Sequence, residues 1–141
     1  MLVKDLMRRK VITVGPETTI KEAARILADN HIGSLVVLKN KSIVGILTDS
    51  DILNALAESE GPEINSEKVV DLMSHYIIPI TSGSSIESAI SLMIKNRIKK
   101  LPVIDNDRLA GIITTSDIIT AQPEMIKNIK GLLKARRSKK D

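Results

Sequence analysis

The sequence contains no cysteine, no tryptophan and no phenylalanine, and Tyr76 is its only tyrosine. Without cysteine, a disulfide framework and thiolate metal ligation are both excluded. The scarcity of aromatic rings removes the stacking platforms that single-stranded nucleic acids use, which argues against binding of that kind.

Motifs of common enzymes are also missing. The sequence has no glycine-rich phosphate loop with its lysine, no GxGxxG and no HExxH. The only histidines, His31 and His75, are expected at a helix end and just before a strand. A nucleophile–base pair or a zinc site is therefore hard to assemble. We predict that the protein is not an enzyme and has no metal or cofactor.

No apolar run approaches the roughly 18 residues of a membrane span. The opening MLVKDLMRRK has charges where a secretory signal needs its apolar core. These two absences predict a soluble, cytoplasmic protein without membrane contact.

The excess of positive charge is confined to one end of the chain. The net charge is +4, but residues 122–141 carry seven Lys and Arg side chains against two acidic ones. The body of the sequence therefore has a net charge of −1, and the basic character belongs to a predicted C-terminal helix or tail.

One nine-residue motif occurs twice in the sequence. GILTDSDIL at residues 45–53 returns as GIITTSDII at residues 111–119, 66 positions later. Sliding the sequence by 66 aligns residues 3–53 with residues 69–119, and 18 of the 51 pairs are identical. A repeat of this length indicates one supersecondary unit used twice. Because each copy is too short to bury much core alone, we expect the two to fold as one domain.

Each copy predicts an amphipathic helix of about three turns. Apolar residues recur at i, i+3, i+4 and i+7 from Ile20 and again from Ile86. Each helix is preceded by a capping signal and ends in an asparagine suited to a left-handed conformation. The predicted residues are Thr19 with Glu22 and Asn30 in the first copy, and Ser84 with Glu87 and Asn96 in the second.

Short β-branched runs flank these helices. SLVVL and IVGIL around KNKS, and LPVID and LAGII around NDR, have the pattern of β-hairpins. Further strands are expected at residues 11–14 and 77–80, and a second helix after each hairpin. The fold class is therefore α/β (α+β) with two β-α-β-β-α repeats. We divide the chain into a first repeat at 1–57, a linker at 58–68, a second repeat at 69–121 and the basic segment at 122–141.

The duplicated TxSD phrase supports two interpretations. Thr48 with Asp51, and Thr114 with Asp117, fit a capping box in which hydroxyl and carboxylate satisfy backbone N–H groups. The same groups at a helix start are also suited to binding a phosphate and the hydroxyls of a ribose. Gly45, like its counterpart in the second copy, lies inside a predicted strand and suggests close approach of another group to the backbone.

The doubled pattern VKDLM…VITV…GILTDSDIL and VVDLM…IIPI…LPVID…GIITTSDII resembles a tandem pair of CBS domains, or Bateman module, over residues 3–121. The resemblance implies a pair packed with pseudo-twofold symmetry, with two clefts that bind AMP, ADP, ATP or S-adenosylmethionine as regulatory ligands. It implies that Asp51 and Asp117 hold the ribose, and that the hydroxyls of Thr48, Ser50, Thr114 and Ser116 lie near ribose or phosphate. It also implies that the phosphates are reached by basic residues, namely Arg97, Lys99 and Lys100. The apolar residues that surround the base would be Ile12, Ile32, Ile78, Ile98 and Pro102.

The two copies differ where the ligand charge would be sensed. The second has NRIKKLPVID, whereas the first has NHIGSLVVL without the basic pair or the proline. We therefore expect two unequal sites, of which one favours phosphorylated adenosine and the other is weak, empty or tolerant of an uncharged or cationic adenosine ligand.

Two functions remain open at this point. The first is a stand-alone regulatory module that binds an adenosine ligand, forms a homodimer and signals to a partner chain. The alternative is a dimerising scaffold whose basic tail contacts nucleic acid or an acidic partner.

Overall fold

The computed structural model describes residues 1–124. The predicted basic segment from residue 125 onward lies outside the described residues, so its predicted contacts with nucleic acid stay a prediction. The elements in chain order are α1 (Val3–Leu6), β1 (Thr13–Val14), α2 (Ile20–Asn30), β2 (Ser34–Lys39), β3 (Ser42–Thr48), α3 (Asp49–Glu58), a 3₁₀ turn (Pro62–Ser66), α4 (Val69–Leu72), α5 (Ile86–Asn96), β4 (Lys100–Asp105), β5 (Arg108–Thr114) and α6 (Thr115–Ala121).

The chain divides into two compact units that exchange their opening segments. The first-repeat unit comprises Val11–Ile77, and the second-repeat unit comprises Met1–Lys10 together with the described residues from Ile78 to Glu124. Helix α1 therefore packs with the hairpin of the second repeat, and α4 packs with the hairpin of the first. The predicted mixed α/β class with two β-α-β-β-α repeats is confirmed.

In the first-repeat unit, three strands form one sheet. Strand β1 pairs in parallel with β2, and β2 pairs with β3 as an antiparallel hairpin. Asn40 and Lys41 form the turn with φ of 52° and 68°, which is the backbone that a two-residue hairpin turn requires. The core beneath the sheet is closed by Val69 and Met73 from the α4 segment.

The second-repeat unit repeats this arrangement with one strand fewer. Strands β4 and β5 form the hairpin, and the predicted strand at residues 77–80 makes a single parallel bridge between Ile80 and Val103. Its core contains Val3, which is fully buried, beside side chains of α5 and both strands.

Three local predictions need correction. Thr19 accepts from the Glu22 N–H as expected, but the cap of α5 is Ser85 rather than Ser84. Ser85 accepts from the Ser88 N–H at 3.1 Å, and it is the residue that the 66-residue offset aligns with Thr19.

The helix-ending asparagines also differ from the prediction. The left-handed residues are His31 and Arg97, with φ of 52° and 57°, one position beyond Asn30 and Asn96. Each asparagine is the last helical residue, and its side-chain amide donates to the carbonyl four residues earlier. The amide side chain thereby stabilises the final turn, while the asparagine backbone keeps its helical conformation.

The predicted linker at 58–68 is not solvated throughout. Its 3₁₀ turn buries Ile64, which is 6% exposed and packs in the core of the first-repeat unit. No helix among residues 1–124 is both long enough and apolar enough to cross a membrane.

Candidate functional site

The two TxSD loops have the same reciprocal geometry. At the junction of β3 and α3, Thr48 Oγ1 accepts from the Asp51 N–H at 3.1 Å, and Asp51 Oδ2 accepts from the Thr48 N–H at 2.9 Å. At the junction of β5 and α6, the corresponding distances for Thr114 and Asp117 are 3.1 and 3.0 Å. The capping interpretation is confirmed in both repeats. Because each cap uses Oδ2, the other carboxylate oxygen, Oδ1, is where the two loops can differ.

At Asp117 that oxygen is bound by Arg8. The Arg8 Nε donates to Asp117 Oδ1 at 2.9 Å. The carboxylate side chain is only 8% exposed, whereas the Arg8 side chain is 69% exposed. An exposed cation is therefore paired with a nearly buried carboxylate.

The equivalent backbone position in the first-repeat unit belongs to Ser74. Ser74 exchanges two hydrogen bonds with Ile46, as Arg8 does with Ile112. The 66-residue offset aligns Arg8 with Ser74 and Ile46 with Ile112. Serine supplies no cation, and among residues 1–124 Asp51 takes part in no ion pair.

Glycines make room for these segments. A β-carbon on Gly45 would lie 2.9 Å from the Ser74 carbonyl oxygen, and one on Gly111 would lie 2.5 Å from the Arg8 carbonyl oxygen. The close approach expected at glycines inside strands is therefore confirmed. The approaching groups are backbone carbonyls of the same chain.

The basic stretch at the start of β4 lies against the second TxSD loop. The Lys99 carbonyl accepts from the Thr115 N–H at 2.9 Å, and Lys100 is the strand partner of Thr114. Lys99 is exposed, Lys100 is half-buried, and Arg97 is the exposed left-handed residue after α5.

In the first-repeat unit, uncharged residues lie beside the loop. The Gly33 carbonyl accepts from the Asp49 N–H at 2.9 Å, and Ser34 pairs with Thr48. A β-carbon on Gly33 would lie 3.3 Å from Asp49 Oδ2, so the Asp49 carboxylate lies close to the Gly33 backbone. It is the second carboxylate of this loop, after Asp51. The second repeat has Thr115 at the position of Asp49.

The surroundings of the two loops consequently have opposite charge. Around Asp51, the positions compared carry two carboxylates and no lysine or arginine, while around Asp117 they carry one carboxylate and three basic residues. The aligned residues are Ser74, Gly33, Ser34 and Asp49 in the first set, and Arg8, Lys99, Lys100 and Thr115 in the second.

The remaining site residues predicted from sequence differ in exposure. Thr48 and Thr114 are half-buried, whereas Ser50 and Ser116 are exposed on the first turns of α3 and α6. Of the apolar set, Ile12 is exposed, Pro102 is fully buried, and Ile32, Ile78 and Ile98 are half-buried. Their roles toward a ligand stay a prediction. Among residues 1–124 no cluster of three or more His, Cys, Asp or Glu side chains could hold a metal ion.

Sequence reasoning missed Arg8 because the residue lies far from the TxSD phrase along the chain. The pairing of Arg8 with Ser74 under the 66-residue offset showed a charge difference between the copies. Only the exchange of opening segments brings that difference to Asp117.

Comparison with known proteins relates both repeats to one family. Residues 3–58 and 69–124 each match the CBS domain. The chain is 33% identical over 120 residues to the CBS domain-containing protein YhcV of Bacillus subtilis, covering 85% of this chain and 84% of YhcV.

Solved structures agree with this relationship. The CBS-domain containing protein ATU1752 of Agrobacterium tumefaciens superposes with a TM-score of 0.79 at 33% identity, over 86% of this chain and 99% of that one. The CBS domain pair of protein MJ0100, solved in complex with 5′-methylthioadenosine and S-adenosyl-L-methionine, gives 0.76 at 31% identity, over 86% of this chain and 94% of its own.

Proposed function

This chain belongs to the CBS domain family as a tandem pair, and on that premise we propose that it is a cytoplasmic regulatory module that binds adenosine ligands at its two TxSD loops. The observation that carries the proposal is the duplicated aspartate, Asp51 and Asp117, each set by a capping box at the start of a helix. A carboxylate in a fixed position can accept from both hydroxyls of a ribose. The adenosine compounds bound to the MJ0100 pair support this ligand class.

We further propose that the two loops take ligands of different charge. Arg97, Lys99 and Lys100 are the basic residues proposed for a phosphate beside Asp117; because alternate residues of a strand point to opposite faces, Lys99 and Lys100 do not both serve it. A single charge-assisted hydrogen bond contributes on the order of 1.5–3 kcal/mol. Each such contact amounts to about a tenfold or greater gain in affinity. A phosphate beside Asp51 would instead meet the Asp49 carboxylate, which disfavours an anion. The Asp117 loop then prefers AMP, ADP or ATP, and the Asp51 loop prefers an uncharged or cationic ligand such as S-adenosylmethionine.

Calorimetric titration of the full chain tests this assignment. We expect one AMP site whose affinity falls at least tenfold in Lys99→Ala/Lys100→Ala, with S-adenosylmethionine binding unchanged. Lys39→Ala/Lys41→Ala removes the same charge from the other hairpin, where both lysines are exposed, and serves as the control. Two equal AMP sites unaffected by the Lys99/Lys100 double substitution would refute the assignment.

The signalling part of the proposal requires a second chain. Leu53 and Leu56 on α3 are 63% and 49% exposed, and a spacing of three residues puts them on one side of the helix. We propose that this face contributes to a homodimer through which ligand binding is passed to a regulated partner protein. Leu53→Glu/Leu56→Glu should give a monomer by light scattering, whereas Ala28→Glu, at an exposed position of α2, should not. A dimer that survives the double substitution would remove this face from the interface.

A further inference from the structure

The Arg8–Asp117 ion pair lies within the second-repeat unit and directly affects the carboxylate that the proposed function assigns to ribose. Asp117 uses Oδ2 for the Thr114 N–H and Oδ1 for Arg8 Nε. Each oxygen retains a further lone pair, but the side chain is only 8% exposed. A ribose therefore competes with the Arg8 guanidinium for access to this carboxylate.

The first-repeat unit has the same backbone arrangement as the Arg8–Asp117 region but lacks the ion pair. Ser74 has the backbone position of Arg8, with the same pair of bonds to the neighbouring strand, but it has no cationic side chain. Asp51 has the same cap as Asp117 and no ion pair among the described residues. A ribose at Asp51 displaces no cation.

Displacing Arg8 is structurally simple because its side chain is 69% exposed and its bond to Asp117 uses Nε alone. The guanidinium carries further N–H donors in a planar fork that matches phosphate oxygens in a bidentate arrangement. Once moved from Asp117, it can pair with an anion held beside that loop. Only a ligand that brings a phosphate replaces the ion pair it breaks.

We propose that Arg8 is a specificity-determining residue of the Asp117 site: it releases Asp117 to the ribose and takes the phosphate of the same ligand. This rests on the proposed function, since it presupposes an adenosine ligand at Asp117. Nucleosides without phosphate are then disfavoured twice, because they must break the ion pair and offer nothing to the freed guanidinium. Arg8 thus rejects adenosine as well as selecting AMP.

The test compares AMP with adenosine, which differ only in the phosphate. Titrations use the full chain with Asp51→Asn, which weakens the first-repeat site, with and without Arg8→Ser. Arg8→Ser places in the second-repeat unit the residue that the first-repeat unit has, and it leaves Lys99 and Lys100 in place. We expect adenosine to bind more tightly in the Arg8→Ser protein, and the AMP-to-adenosine affinity ratio to fall at least tenfold.

The converse substitution keeps the test independent of the folding of one variant. Ser74→Arg in the Asp117→Asn background should raise the AMP-to-adenosine ratio at the Asp51 site. If the protein binds AMP but neither Arg8→Ser nor Ser74→Arg changes the AMP-to-adenosine affinity ratio, Arg8 does not determine specificity. The proposed function is then unaffected. If the protein with both aspartates intact binds neither AMP nor adenosine, the proposed function itself fails at the Asp117 site, and the inference fails with it.

Discussion

The Arg8 carbonyl oxygen lies 2.5 Å from the point where a β-carbon on Gly111 would be. Arg8 and Ile112 exchange two backbone hydrogen bonds at this crossing, so the segment that carries the Asp117 partner is held against β5. Glycine at position 111 is therefore a steric requirement, because a methyl group would meet backbone rather than a flexible side chain.

Gly111→Ala should destabilise the protein by about 1–3 kcal/mol, the usual cost of overpacking a tightly packed position. Chemical denaturation measures the change in the free energy of unfolding. Gly83→Ala is the control, because no heavy atom lies within 4 Å of its added carbon, and we expect it to stay within about 0.5 kcal/mol. Equal stability of the two variants would show that the segment moves aside without cost.

A fragment that ends before α4 should not fold. Residues 1–60 contain the first hairpin but lack Val69 and Met73, which are 0% and 8% exposed in its core. Burial of two such side chains contributes about 3–6 kcal/mol, comparable with the whole stability of many domains. We expect residues 1–60 to aggregate or to melt without a sharp transition, and residues 11–77, which retain α4, to be better ordered by circular dichroism. A sharp thermal transition in the 1–60 fragment would contradict the exchange of opening segments.

Replacing each TxSD aspartate should separate its two roles. Asp51→Asn and Asp117→Asn keep a side-chain acceptor for the cap, so each should cost less than about 1 kcal/mol of stability. Each should nevertheless reduce the rise in melting temperature that its adenosine ligand causes, because the amide cannot accept from both ribose hydroxyls. Asp29→Asn, at an exposed position of α2, is the control. An unchanged ligand-induced rise in both variants would leave the aspartates as caps only.

Asp105 should make stability depend on acid pH. The hydroxyl and the backbone N–H of Ser82 lower the pKa of this carboxyl below its ordinary value, and Arg9 lowers it further. A lowered pKa in the folded state stabilises the protein above the unfolded pKa, and this stabilisation is lost as the pH falls through the folded pKa. Wild type and Asp105→Asn should therefore differ most at neutral pH and converge below about pH 4. A constant difference in melting temperature from pH 7 to pH 3 would exclude this linkage.

The sequence predicted the elements that depend on local patterns. The helices around Ile20 and Ile86, both hairpins and both TxSD caps follow from apolar spacing and turn chemistry, and all are confirmed. The cap of α5 was missed by one residue because Ser84 and Ser85 are both capable caps, and the Ser84/Glu87 spacing favours the wrong one.

The charge around Asp117 could be predicted only in part. Lys99 and Lys100 precede a strand beside the TxSD loop, and local pairing brings them there. Arg8 reaches the same carboxylate from 109 positions away along the chain. Neither periodicity nor a motif predicts the contact between Arg8 and Asp117, because it depends on which repeat α1 packs against.

Native mass spectrometry of the full chain with AMP and S-adenosylmethionine, added singly and together, shows whether one chain holds two different adenosine ligands. We predict that each chain takes one AMP and one S-adenosylmethionine at the same time. Asp117→Asn should lose the AMP, and Asp51→Asn should lose the S-adenosylmethionine. If the chain takes neither compound, or if the two displace each other at one site, the TxSD loops are not two distinct adenosine sites.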